Sequence, residues 1–531
     1  MNGSISSRRW FLKQVAAGVA VFPAARLIGG VGEARVSNEK QSESAGAEKA
    51  SRKRPNILLA ISDDHSYPHA SAYGCEFVNT PSFDEVARVG VLMKNAFCPA
   101  PQCSPSRASL LTGRNIWQNE EAGTHGSYFP KNWPVYTELL EQAGYHVGYT
   151  GKPWGPGDWR TKGWDKNPVG RGYNKAKLKE RPTRGISYLD YAENFNLFLG
   201  DRDPDQPFCF WYGGFEPHRF YEYGSGEGER DDVDVPGYLP DNETVRTDLL
   251  DYAREIEHFD DHLGRIIEKL KEIGEWENTL VVVTGDNGMP FPRAKANVYA
   301  AGIHVPMAVC WAGEVPARSE MMTDFVSFID LAPTFLEAAG QAVPDTMSGR
   351  SFLAELRSGK AGRVDASRGF AVAGRERHTH ARADNVGYPA RSIQTDEYLY
   401  IRNFKPERWP MGNPRDPYDQ WAADIDGGPS KKVVLEDPES KFYELAVAKR
   451  PAEELYDLSK DPDCVDNIAD DPKYANVKSE LWERLKGILA EQEDPRVMGN
   501  GDVFDSYPRM RGTMRKYPGF KKREYNPEFM K

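Results

Sequence analysis

The run Thr279-Leu280-Val281-Val282-Val283-Thr284-Gly285-Asp286-Asn287 follows, across a short polar turn, a segment with apolar residues at Leu249, Ala253, Ile256, Phe259, Leu263, Ile266, Ile267, Leu270 and Ile273. Steps of three and four lay one apolar stripe along a helix, and Gly274 supplies its stop. The valine-rich run has no polar alternation, so it predicts a strand covered on both faces. A helix that leads into a buried strand is the repeat of a βαβ unit.

Working outward, the same texture recurs. Asn56-Ile57-Leu58-Leu59-Ala60-Ile61 predicts a buried strand, Thr80-Pro81 an N-cap and first-turn proline for a helix that stops at Gly90, and Tyr145–Thr150 and Pro207–Tyr212 two further strands. Val305–Trp311 as a strand and Phe325–Ala339 as a helix continue the pattern. The expectation is an α/β fold, a large and mostly parallel sheet flanked by helices. After about Gly362 the runs become shorter and more polar, as in Ala390–Gln394, Glu397–Ile401 and Glu454–Leu458, which predicts a smaller C-terminal α+β subdomain with antiparallel strands. The expected division is 1–34 and 35–54 ahead of a main unit 55–365, then a subdomain 366–495 and a tail 496–531. That tail interleaves basic residues with Phe504, Tyr507, Tyr517, Phe520 and Tyr525, which predicts a solvated or surface-wrapping segment, with a local docking surface for an anionic substrate as the alternative.

With 531 residues, 28% charged and a net charge of −11, the chain is globular and acidic, which excludes a disulfide scaffold and duplex nucleic acid as a general partner. No apolar run is long enough to span a bilayer, so it is not expected to be an integral membrane protein. Six cysteines, at 75, 98, 103, 209, 310 and 464, lack the close pairing of a zinc or redox motif, and activity is expected to survive mild reductant. Arg8-Arg9-Trp10-Phe11-Leu12-Lys13 ahead of the short apolar run Val15–Ala25 resembles a twin-arginine export signal. It implies passage through the twin-arginine translocase to a periplasmic or secreted location. Ser37–Arg54 then serves as a linker, and Ala45-Gly46-Ala47 fits a small-residue cleavage site.

Two strands end in oxygen-bearing pairs, Asp63-Asp64 and Asp286-Asn287. In open parallel sheets ligands sit beyond the carboxyl ends of strands, where these side chains converge. Carboxylates brought together repel unless a cation intervenes, and an all-oxygen set suits a hard divalent ion such as Ca²⁺ or Mg²⁺. In Cys103-Ser104-Pro105-Ser106-Arg107-Ala108-Ser109-Leu110-Leu111-Thr112-Gly113, the proline marks a helix start. Cys103 is thereby placed at a helix N-terminus, where a lowered thiol pKa is expected.

This last stretch resembles the signature of the type I sulfatases, C-x-P-x-R-x-x-x-L-T-G, and the similarity continues through Glu216-Pro217-His218, Thr284–Gly288 and Glu454–Leu458. Asp286–Pro292 with Lys295–Tyr299 is most similar to the heparan N-sulfatase (sulfamidase) branch. The resemblance implies an alkaline-phosphatase-like sulfatase fold. It implies one Ca²⁺ held by Asp63, Asp64, Asp286 and Asn287 with Cys103, and oxidation of Cys103 to formylglycine by a formylglycine-generating or radical maturation enzyme. A hydrated aldehyde has two hydroxyls on one carbon, one to attack sulfur and one to expel sulfate afterwards. Arg107, one turn beyond Cys103, is implied to hold that group, Lys152 and Lys295 to clamp sulfate, and His218 to protonate the leaving group.

Where many sulfatases have Gly-Lys-x-His, this chain has Gly151-Lys152-Pro153-Trp154, so one family histidine is missing; His125 and His65 are candidate substitutes, and His125 is also a candidate substrate contact. The role of His304, in the altered stretch Ala300–Pro306, stays open. Gly374–Arg382 is rich in cationic and imidazole groups, and Arg375 and His378 are expected to bind a uronate or second sulfate of the substrate. The leading expectation is sulfate-ester hydrolysis on a sulfated polysaccharide or oligosaccharide. Alternatives are a sulfamidase, a phosphate or phosphonate hydrolase, and a glycan-binding protein in which Cys103 stays a thiol.

Overall fold

The computed structural model describes residues 53–226, 232–412 and 422–510. The export signal, nearly all of the linker and the tail beyond Met510 lie outside them. Eight strands form the main sheet: β1 (Asn56–Ser62), β2 (Val91–Phe97), β3 (His146–Gly151), β4 (Arg171–Gly172), β5 (Phe208–Gly213), β6 (Thr279–Gly285), β7 (His304–Cys310) and β8 (Met322–Ser327). Their order is β4-β3-β5-β1-β6-β7-β2-β8. The helices that position the site are α1 (Pro81–Val89), α2 (Cys103–Thr112), α3 (Tyr136–Gln142), α4 (Tyr191–Gly200) and α5 (Glu243–Glu272).

β1 lies at the centre, parallel to both neighbours, with Ile61 opposite Gly213 on one side and Thr284 on the other. Alternate residues of β1 enter two cores. Ile57, Leu59 and Ile61 pack with Leu110, Leu140 and Phe335, whereas Leu58 and Ala60 pack with Phe83, Phe195, Phe259 and Leu263. Helices therefore cover both faces, as the unalternating apolar runs require.

Three expectations change. β7 is antiparallel to both β6 and β2, because the connection from Asp286 to Ile303 contains only the single-turn helix Ala300–Ile303 and never crosses back over the sheet. Phe325 belongs to edge strand β8, and the helix that follows is Leu331–Ala338; Phe325 stacks on Phe97 of β2, a contact invisible to periodicity. Thr80 takes the N-cap position of α1 without capping it: its hydroxyl accepts from Ser71, and the Asp260 carboxylate on α5 accepts from the Ser82 and Phe83 amides instead.

The C-terminal part holds a second, antiparallel sheet of β9 (Ala371–Arg375), β10 (Ala390–Gln394), β11 (Tyr398–Asn403) and β12 (Glu453–Asp457), packed against the helix Ala475–Glu491. All six cysteines are free thiols. Up to Met510 the tail lies on the protein, with Phe504 and Arg509 buried.

Candidate active site

Four neighbouring parallel strands, in the order β3-β5-β1-β6, deliver their following residues to one place. These are Lys152 after β3, His218 in the loop after β5, Asp63 and Asp64 after β1, and Asp286 and Asn287 after β6. Backbone bonds lock the register: the Asp286 amide donates to the Ser62 carbonyl at 2.9 Å and the Asp63 amide to the Glu216 carbonyl at 2.9 Å. Asp64 adopts φ 74°, and its amide donates to the Asp286 carboxylate at 3.0 Å. α2 brings the N-terminal turn that carries Cys103 and Arg107.

The Cys103 thiol donates to Asp63 Oδ1 at 3.3 Å and approaches Asp64 Oδ1 at 3.9 Å. Arg107 Nε donates to Asp286 Oδ2 at 2.7 Å, its Nη1 donates to the Lys152 carbonyl at 2.7 Å, and its buried Nη2 has no partner. Lys152 pairs with Asp63, and Lys295 Nζ lies 2.6 Å from Asp64 Oδ2. His218 shares its Nδ1 with the Arg219 carbonyl at 2.7 Å and turns Nε2 to Asp64, 3.8 Å away. All of these groups are buried except His218, whose side chain is 33% exposed and so faces the opening.

Burial works to raise the Asp63 carboxyl, but Lys152, His218 and Arg107 together hold it well below the usual range. Asp64 and Asp286 are each pushed up to about 6, first by burial and then by other carboxylates, chiefly Asp63, against the pull of Lys295 on Asp64 and of Arg107 on Asp286. Burial, with the Asp63 charge added, also drives the Cys103 thiol well above its ordinary value. This overturns the expectation of a lowered pKa. The helix N-terminus is present, but desolvation and a carboxylate at 3.3 Å outweigh it.

The donor set fits a hard divalent cation. Asp63, Asp64, Asp286 and Cys103 offer ligand atoms within 4.8 Å of one another, and Asn287 Oδ1 beside them is buried without a hydrogen-bond partner while its Nδ2 donates to Asp64 at 2.8 Å. Two carboxyls pushed up by burial and by neighbouring carboxylate charge, and an unpaired amide oxygen, are what a cation would relieve. The other candidate groupings among the described residues, Asp63-Cys103-His218 and Asp64-His218-Asp426, share residues with this one, so a separate second metal site is not formed.

Several expected residues lie elsewhere or do other work. Arg375 does not reach the site: it is buried, bonded to the Pro410 carbonyl at 2.6 Å and to Asp424 at 3.0 Å. His378 is also buried, with Nδ1 3.6 Å from Asp424 and its carbonyl accepting from His125 and Arg509. Neither presents a charge to solvent, because a carboxylate from a distant loop neutralises this stretch. His65 cannot substitute for the missing histidine: one ring nitrogen meets Ser62 at 3.1 Å and the other the His69 carbonyl at 2.6 Å. His304 stacks on Tyr67 and Phe97 and bonds the Lys94 carbonyl, a structural role. Trp154 donates from its indole to the Ser104 carbonyl at 3.1 Å and packs edge-on against Phe129, so it buttresses the turn that holds Cys103. His125 stands beside His378, ring centroids 4.6 Å apart, and both imidazoles feel the charge of Lys295.

Two residues at the site were not foreseen. Asp426 pairs with Lys295 at 2.9 Å, and its only sequence signal is an ordinary Asp-Gly-Gly turn. Arg509 arrives from the tail to bond the His378 carbonyl. The basic, aromatic character of the tail was visible, but not where it would land.

Residues 55–341 match the sulfatase family model, and residues 293–419 match the family described as N-sulphoglucosamine sulphohydrolase, C-terminal. Human N-sulphoglucosamine sulphohydrolase is 28% identical over 86% of this chain and 94% of its own length. An ulvan-active sulfatase of Formosa agariphila is 28% identical over 82% of each chain. Among solved structures, one in complex with its substrate D-glucosamine-2-N,6-O-disulfate aligns with TM-score 0.60 at 20% identity, over 83% of this chain and 99% of that one. The phosphonate monoester hydrolase of Agrobacterium radiobacter aligns with TM-score 0.60 at 18% identity, over 84% and 97%, a likeness of fold.

Proposed function

The chain belongs to the sulfatase family, and on that premise we propose that it is an exported hydrolase that releases sulfate from ester positions of a sulfated polysaccharide or oligosaccharide, using Ca²⁺ and a formylglycine made from Cys103. The observation that carries this reading is the meeting of Cys103 with Asp63, Asp64 and Asp286 within 4.8 Å. Asp63, Asp64, Asp286 and Asn287 would hold the cation, which when bound polarises an anionic oxygen and offsets the carboxylate charge. The formyl group supplies a hydrate nucleophile that a buried thiol of raised pKa does not.

The protein's own side chains account for the rest. Arg107, anchored by Nε and Nη1, keeps Nη2 for the group at position 103. Lys152 and Lys295, both protonated beside carboxylates, hold the sulfate oxygens. With Nδ1–H of His218 donated to a backbone carbonyl, Nε2 faces the departing sugar oxygen and protonates it only from the imidazolium form, whose pKa burial and then Lys295 hold down to about 4 and which an anionic sulfate beside it would favour. Trp154 holds its loop in place, so proton transfer at that side falls to His125, whose Nδ1 is engaged by the His378 carbonyl, or to water. Export follows the twin-arginine route.

A second reading, sulfamate hydrolysis, is favoured by the match of 293–419 to the N-sulphoglucosamine sulphohydrolase C-terminal family. The ester is preferred because Trp154 breaks the Gly-Lys-x-His pattern. The test is sulfate release from a panel of defined oligosaccharides carrying O-sulfate or N-sulfate, with Cys103→Ala as control and the mass of the Cys103 peptide measured in parallel. Ester cleavage, lost in Cys103→Ala by about four orders of magnitude or more, is expected. Release from N-sulfate alone replaces the ester with the second reading, and an unmodified Cys103 in active enzyme ends the formylglycine route.

A further inference from the structure

Between β3 and the His218 loop the chain forms a hairpin that the chemistry above does not use. Residues 171–187 contain six basic side chains and one acidic, in a protein of net charge −11. Lys177 bridges antiparallel to Leu189, and the Leu178 amide donates to the Tyr188 carbonyl at 2.8 Å. Lys175, Lys177 and Lys179 recur at alternate positions along one arm, exposed, with no ion pair among the described residues. Aromatic rings stand out beside them: Tyr188 is 53% exposed under the Arg181 guanidinium, and Phe220 is 79% exposed.

The hairpin is strapped to the strand ends that build the site. At its start, Asn174 Oδ1 accepts from the Gly151 amide, next to Lys152, at 2.8 Å. At its end, the Ser187 amide donates to Glu216 at 2.8 Å and the Arg184 amide to Glu222 at 2.9 Å, on either side of His218. Phe220 lies two residues beyond His218. Both ends of the hairpin are therefore tied to the segments that carry Lys152 and His218, and it does not float as a free loop.

We propose that this hairpin, with Lys175, Lys177, Lys179, Tyr188 and Phe220, is an exosite for the outlying anionic sugars of the substrate chain, so that the enzyme prefers extended sulfated glycans to sulfated monosaccharides. The inference rests on the sulfated-glycan reading above. Ammonium groups meet sulfates or carboxylates on neighbouring sugars, and the exposed rings offer flat apolar faces to pyranose C–H groups. Unpaired lysines on the hairpin also raise the local concentration of a polyanion, an effect that fades as salt shortens the Debye length to about 10 Å at 0.1 M.

The test uses the mature full-length enzyme and its Lys175→Ser/Lys177→Ser/Lys179→Ser and Tyr188→Ala/Phe220→Ala variants. Binding of a size-defined heparin octasaccharide is measured against salt, with phosphatidylglycerol vesicles and a single-stranded oligonucleotide as competing polyanions, and turnover of 4-nitrocatechol sulfate reports the catalytic centre. The lysine variant is expected to lose about tenfold in octasaccharide affinity with a shallower salt slope, and the aromatic variant about fivefold. Both should turn over the aryl sulfate within about twofold of wild type. Unchanged octasaccharide binding in both variants overturns the proposal, as does equal preference for vesicles or oligonucleotide. If wild type cleaves no sulfated substrate the hydrolase reading fails, while octasaccharide binding still decides the exosite separately.

Discussion

Residues 374–382 and 171–187 are both crowded with basic groups, and they end in opposite environments. Arg375, Arg377 and Arg382 are each no more than 2% exposed, whereas Lys175, Lys177 and Lys179 face solvent. What separates them is the acceptors that reach the first from elsewhere in the chain: the Tyr507 carbonyl and the Thr124 hydroxyl for Arg377, and one carboxylate for Arg375 and Arg382 together. Asp424 accepts from Arg375 at 3.0 Å, Arg382 at 2.9 Å and the Thr379 amide at 2.9 Å, and it stays ionised because the two guanidiniums outweigh its burial. In the hairpin Arg171 and Arg184 pair with Asp201 and Glu222 at the surface, and the three lysines have no ion pair among the described residues. A count of cations along a sequence therefore says little about which of them can meet a substrate.

The sharpest way to break this comparison is to remove the buried anion. Asp424→Asn leaves two guanidiniums buried without a countercharge and is expected to cost about 3–5 kcal/mol, read by urea unfolding at pH 7. The wild-type Asp424 contribution is complete above the unfolded carboxyl pKa and disappears as pH falls through the lower folded value, so the difference from the Asn variant should shrink under acid. A variant as stable as wild type would mean that this cluster is not held by charge. Arg375→Gln is the next step down, at about 2–3 kcal/mol. It should lower kcat/KM for polymeric and small substrates equally, if at all. A selective rise in KM for the polymer would return Arg375 to the substrate, as its sequence context had implied.

The sheet and the metal-type cluster were legible because buried parallel strands carry unbroken apolar runs, and because Asp63-Asp64 and Asp286-Asn287 sit directly at the ends of two such runs. Cys103 and Arg107 followed from a local motif on one helix. What escaped depends on contacts between distant residues. The direction of β7 is set by a connection without a crossover helix, β8 is held by edge pairing with β2, and Arg375 is neutralised by a residue 49 positions away. The thiol of Cys103 was misjudged for the same reason, since Asp63 lies 40 positions earlier.

A second carboxylate sharpens the contrast from the other side. Glu255 on α5 lies beneath the exposed hairpin, with Oε1 3.4 Å from the Thr183 hydroxyl and Oε2 buried without a partner. Among the described residues no arginine bonds it as two bond Asp424, and the pull of Arg254 is outweighed. Burial, joined by the nearby Glu216 charge, pushes its carboxyl up to about 9. A raised folded pKa means that the native state binds a proton that the unfolded chain has released. Stability should therefore decline as pH climbs from the unfolded value near 4.5 towards 9. Glu255→Gln removes that titration. It is expected to match wild type near pH 5 and to be more stable by about 1–2 kcal/mol at pH 9, as measured by urea unfolding at the two pH values. Parallel pH profiles for the two proteins would mean that Glu255 is ionised and solvated in the native state, and that the base of the hairpin is open to water.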